Sequence, residues 1–153
     1  LLILLINLNA CKGYKPIFSS SNLKFKIADY SITGNNKFGN QLYAKLYQIS
    51  KSSENDPEAK EIYVLIDASQ NKDATAKDTA GKVLGYKISL LTKVTIKNLR
   101  TGNQILNESF SFSSNYKVQD QHSETIKTEE RVMESLIDRT FQDLLMKFSE
   151  NIF

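Results

Sequence analysis

Apolar and polar residues along this chain fall into runs of two periods, and the switches between them mark the elements. Leu23-Lys-Phe-Lys-Ile27 alternates apolar with basic, the signature of a half-buried strand. Thr33-Gly-Asn-Asn36 is turn and helix-cap chemistry, since Asn side chains accept from nearby backbone N–H groups. Phe38, Leu42, Leu46 and Ile49 then recur at helical spacing, which predicts an amphipathic helix of about four turns. Ser50 to Pro57 reads as loop. Glu61 to Ala68 is short, β-branched and largely apolar, so a strand buried on both faces is expected. Gln70 to Lys82 is polar and aperiodic, a mobile loop or a frayed hairpin. Leu84, Tyr86, Ile88, Leu90, Val94 and Ile96 next share one face, against Lys87, Ser89, Lys93, Thr95 and Lys97 on the other. That is a long strand with one wet face. Arg100-Thr-Gly-Asn103 reads as a hairpin turn. On the returning strand Leu106, Phe110, Phe112 and Tyr116 oppose Asn107, Ser109, Ser111 and Ser113. A last helix follows, with Asp120 or Ser123 as its cap and an apolar stripe through Met133, Leu136, Ile137, Phe141, Leu144, Leu145, Phe148 and Ile152. The order is β-α-β-β-β-α. The expected class is α+β, with two helices packed on one face of a four-stranded mixed sheet and the other face left polar.

The first ten residues differ from everything after them. An uncharged aliphatic run gives way to the small Ala10 and then to the single cysteine, Cys11. This is the order of a secretory signal core and its cleavage site. Leu8-Asn9-Ala10-Cys11 resembles the lipobox of bacterial lipoproteins, whose cysteine receives the lipid; Asn9 stands where Ala, Ser or Thr is usual. No basic stretch or initiating Met precedes the run, so a signal truncated at its start is expected over residues 1–10. A buried amino-terminal core element is the alternative, and it would sit awkwardly before the loop-like Lys12 to Pro16. Ten residues of helix reach only about 15 Å, half the hydrocarbon thickness, too short for a permanent span. A lipidated tether is expected over 11–22, where Gly13, Pro16 and Ser19-Ser20-Ser21 break any period, followed by a single domain over 23–153. Multiple acylation at Cys11 would anchor it stably.

Composition narrows the chemistry. A chain of 153 residues is one domain's worth, and 41% apolar with 24% charged residues is ordinary for a globular protein. A net charge of +3 does not argue for nucleic acid. The one histidine, His122, precludes His-rich metal sites and leaves one candidate imidazole base, in a polar segment that favours solvation or capping. An acylated Cys11 is no nucleophile. The six glycines form neither a phosphate loop nor a dinucleotide fingerprint. Glu129 and Glu130 fall on the wet face of a helix, where solvation explains them. The expectation is a protein without catalysis, metal or cofactor.

The order of parts resembles the LptE family, the lipopolysaccharide-assembly lipoproteins of Gram-negative bacteria. Three features carry the likeness. Cys11 is followed by Gly13-Tyr14-Lys-Pro16-Ile17-Phe18, similar to the family's Cys-Gly-aromatic opening, with Lys12 as a departure. Ala76-Lys-Asp-Thr79 leads into Gly85-Tyr86-Lys87 and the Arg100 hairpin. The last helix carries Asp138-Arg139 and the Leu144-Leu145 pair. The resemblance implies a non-catalytic plug within the β-barrel partner LptD, held by its lipid anchor on the periplasmic side of the outer membrane. Its role would be to help deliver lipopolysaccharide to the outer leaflet. It also implies basic ligand contacts before the long strand and near the start of the last helix, where Lys77, Lys82 and Lys127 are the nearest candidates. The rival reading is another tethered periplasmic module that scaffolds or activates an envelope-assembly complex.

Overall fold

The computed structural model describes residues 23–152, so Cys11, the signal at 1–10 and the tether at 11–22 lie outside the described residues. Six main elements follow in the expected order: β1 (Phe25–Gly34), α1 (Asn36–Ser50), β2 (Lys60–Lys77), β3 (Val83–Asn98), β4 (Gln104–Lys117) and α2 (His122–Asn151). The strands form one sheet in chain order. β1 runs parallel to β2 through the α1 crossover, and the other two pairs are antiparallel hairpins. Both helices cover the same face, giving an α+β layer pair.

Local chemistry accounts for the corners. Gly34 ends β1 at a φ of 74°, in the left-handed region that glycine enters without a Cβ clash. Asn35 then caps α1, its Oδ1 accepting from the N–H groups of Lys37 at 3.1 Å and Phe38 at 3.4 Å. Its own N–H bonds the Ala68 carbonyl of β2 at 2.6 Å, which fixes where the helix leaves the sheet. Asn98 builds the β3–β4 turn in the same way, accepting from Arg100 at 2.9 Å and Thr101 at 3.0 Å.

The core lies between the helices and the sheet. Phe25, Leu46, Ile62, Val64, Ile66, Val94, Ile96, Leu144 and Phe148 are all nearly inaccessible. Phe25 and Phe148 meet edge to face at 5.0 Å. A second cluster, around Phe38, Ile88, Leu90, Met133 and Ile137, continues it toward the start of α2.

Four sequence expectations change. The segment from Gln70 is neither a loop nor frayed: β2 runs on to Lys77, paired with β3 from Asn71 onward, and only Asp78 to Lys82 turn. Most of its side chains are wet, so the apolar period that reveals a strand is missing, while the backbone ladder continues through register irregularities on either side of Ala76. β2 is not buried on both faces. Ile62, Val64, Ile66 and Ala68 point inward, whereas Tyr63 and Leu65 are half-buried and Asp67 is exposed on a face that no layer covers among the described residues. β1 extends past Ile27 to Gly34 across a register irregularity, and the Ile27 N–H is taken by Ser50 Oγ at 3.0 Å. Neither Asp120 nor Ser123 caps α2. The cap position is Gln121, without a side-chain bond, and Thr125 Oγ1 instead accepts from Gln119 N–H at 2.9 Å.

Candidate functional site

Two surfaces carry chemistry: the face of the sheet without helices, and the end where the β2–β3 turn meets the start of α2. The first is built by period-2 alternation. On β3 it presents Lys87, Ser89, Leu91, Lys93, Thr95 and Lys97; on β4 it presents Asn107, Ser109, Ser111 and Ser113. Strand register sets Asp67 against Lys93 and Asp73 against Lys87, opposite charges facing across the β2–β3 pair. Thr95 donates to Asn107 Oδ1 at 3.1 Å. Leu91 is 49% exposed with serines on both sides, Ser69 and Ser111. The face is therefore polar, hydroxyl-rich and close to charge-balanced.

At the basic end, Lys77 is the last residue of β2, Lys82 closes the turn, and Lys127 lies on the second turn of α2; all three are exposed. The topology brings them to one end of the molecule, because Gly85 near the start of β3 pairs with Lys117 near the end of β4. Lys77 and Lys82 flank the same tight turn, where the Asp78 N–H donates to the Lys82 carbonyl at 2.9 Å. Lys127 is paired with Glu124 at 2.9 Å, and the turn is closed by Asp78, which accepts from the backbone N–H of Lys82 and Ala80.

A polar cluster at this end is not legible in the sequence. Lys72 reaches from β2 to Glu129 of α2 at 2.5 Å, and Tyr116 OH of β4 donates to the same Glu129 oxygen at 2.7 Å. The Lys72 ammonium also lies 4.4 Å from the Tyr86 ring centre. Burial opposes the Lys72 charge, but its bonds to Glu129 and Tyr116 outweigh that and hold its pKa above the ordinary lysine value. Burial likewise opposes the Glu129 charge, and the same partners outweigh it and hold the carboxyl below its ordinary value. Burial first, then the Glu129 bond, pushes the Tyr116 hydroxyl up. Glu129 is thus a structural ion-pair partner; the expected solvated role is corrected. Continuing the alternation of Ile62, Val64, Ile66 and Ala68 through Gln70 would have placed Lys72 on this side.

Between α1 and α2 runs a cleft of about 850 Å³ with Phe38, Met133 and Ile137 along it and Lys37, Lys45 and Glu134 among its polar groups. Lys45 bridges the helices to Asp138 at 2.7 Å. Among the described residues no group of His, Cys, Asp and Glu is placed to hold a metal ion, and no helix is long and apolar enough to cross a membrane. His122 is exposed at the first position of α2.

This pairing of a mixed four-stranded sheet with two helices on one face is a fold found among bacterial lipoproteins. Lipoprotein B of Nitrosomonas europaea superposes with a TM-score of 0.59 at 14% identity, over 87% of this chain and 88% of that one. Rare lipoprotein B of Shewanella oneidensis gives 0.54 at 11% identity, over 81% of this chain and 96% of the other. A minor lipoprotein of Acinetobacter baumannii gives 0.52 at 16% identity, over 83% and 94%. At these identities the likeness is one of fold. No family model and no curated protein matches the sequence.

Proposed function

We propose that this chain is an envelope lipoprotein of the LptE type, acylated at Cys11 and anchored to the outer membrane on its periplasmic side. There it plugs the LptD β-barrel and helps place lipopolysaccharide in the outer leaflet, by binding and support rather than catalysis. The observation that carries the reading is a lipoprotein fold, matched over most of both chains, whose sheet leaves one face polar and uncovered. A barrel lumen is itself polar, so a hydroxyl- and lysine-bearing face suits it. Lys77, Lys82 and Lys127, at one end of the fold, are the side chains assigned to lipopolysaccharide phosphates.

Affinity purification from detergent-solubilised membranes tests the reading. A stoichiometric integral barrel should copurify, and the intact mass of the mature chain should show acylated Cys11. Recovery without a barrel, or with an unmodified sulfur, would overturn the proposal. For the ligand, replacing Lys77, Lys82 and Lys127 together by Glu should weaken lipopolysaccharide binding while leaving thermal unfolding unchanged; unchanged binding removes these residues from the site.

A further inference from the structure

β4 is an edge strand among the described residues, and three of the five residue pairs flanking Ser111 are identical. Phe110 mirrors Phe112, Ser109 mirrors Ser113, Asn107 mirrors Asn115, and Leu106 mirrors Tyr116. A long strand edge is a template for pairing, which proteins usually blunt with lysine, proline or a bulge. β4 has none of these along Leu106–Tyr116: it holds no proline, its one register irregularity lies at the Gln104 end, and the only charge there is Glu108.

We infer that β4 pairs antiparallel with β4 of a second copy of this chain, about a two-fold axis that runs between the two Ser111 residues and normal to the sheet. In that register Phe110 of one protomer faces Phe112 of the other on the helix side. Ser109 faces Ser113, and Asn107 faces Asn115, on the open side. Glu108 falls opposite Ser114, so no like charges meet. An isologous interface requires this self-complementarity.

The helices support the same axis. α2 packs chiefly on β4 and runs back along it, with Glu129 beside Tyr116 and Arg139 stacked at 4.6 Å on the Phe112 ring. An axis between the two Ser111 residues therefore passes alongside α2, level with a point about a half-turn beyond Arg139. It sets Arg139 of each protomer opposite Asp143 of the other. Both line a cleft of about 510 Å³ beside Phe112, and neither has an ion-pair partner among the described residues. α2 touches β3 as well as β4, so its axis lies inboard of the edge strand; two copies set back in this way across a strand spacing of about 4.8 Å come near the roughly 8–10 Å of packed helices. This interface is a property of the free chain and does not depend on the barrel partner.

Thiol cross-linking of the full chain carrying Cys11→Ser tests the axis. Ser111→Cys places two thiols about 5 Å apart in Cα position, within disulfide reach, whereas Asn115→Cys places them about 26 Å apart. Under mild oxidation Ser111→Cys should form a disulfide-linked dimer at least tenfold faster than Asn115→Cys; equal rates overturn the inference. Sedimentation of charge variants provides a second reading that needs no cross-link. Arg139→Glu alone, and Asp143→Arg alone, should each weaken dimerisation about tenfold, and the two together should restore it. A monomeric parent chain, or a double variant no better than the single ones, overturns the pairing.

Discussion

Gly34 and Gly81 hold nearly the same backbone angle, 74° and 84°, in very different surroundings. A Cβ at Gly34 would collide with the Ala68 carbonyl, while one at Gly81 would meet nothing within 4 Å. Gly81→Ala should therefore cost only the left-handed strain, about 1–2 kcal/mol, and Gly34→Ala distinctly more, as read by urea unfolding. Glu129 offers a second test. Its folded carboxyl titrates below the ordinary value, so the ion pair stabilises above the unfolded value, about 4.3, and the contribution is lost as pH falls through the folded one. Glu129→Gln should flatten the loss of stability as pH falls below the ordinary carboxylate value, and lower stability at neutral pH by about 1 kcal/mol, the scale of a partly exposed pair. A parallel fall of both proteins in acid would exclude Glu129 as the titrating group. Of these residues the sequence identified Gly34 as turn chemistry and missed Glu129, because an ion pair between β2 and α2 joins residues that share no local pattern.

Elements differ in how plainly they announce themselves. α1, β3 and β4 each bury one stripe against a neighbour, so their periods are legible: 3.6 for α1 and 2 for the strands. The distal part of β2 is held by its ladder to β3 and by Lys72, and its own side chains stay wet. Lys72→Ala should loosen this ribbon locally, raising amide exchange at residues 71–77 roughly fivefold, about 1 kcal/mol, with the core amides unaffected. Uniform acceleration across the domain would mean that the pair supports the whole fold. In α2 the deepest anchor is Phe148, fully buried against Phe25. Phe148→Ala should destabilise by about 3–5 kcal/mol in chemical denaturation.

For the whole molecule, the decisive asymmetry is that both helices lie on one side of the sheet. The uncovered side is free to change without disturbing the core, so Ser109→Glu and Ser113→Glu should move stability by no more than about 0.5 kcal/mol each. If this side faces a barrel lumen, the pair of substitutions should still reduce copurification of the barrel. Unchanged recovery would move the contact to another surface.

Sequence alone determined which residues form α1, β3, β4 and α2, the order of elements, and the polarity of each face, because burial of one side of a helix or strand imprints its period on the chain. Only the tertiary structure decided that β2 continues to Lys77 and that Tyr63 and Leu65 line an open face. It alone joined Lys72, Tyr116 and Glu129, and brought Lys77, Lys82 and Lys127 to one end. Those outcomes depend on contacts between residues distant in sequence, and side-chain period carries no record of which wet strand a neighbour's backbone will pair with.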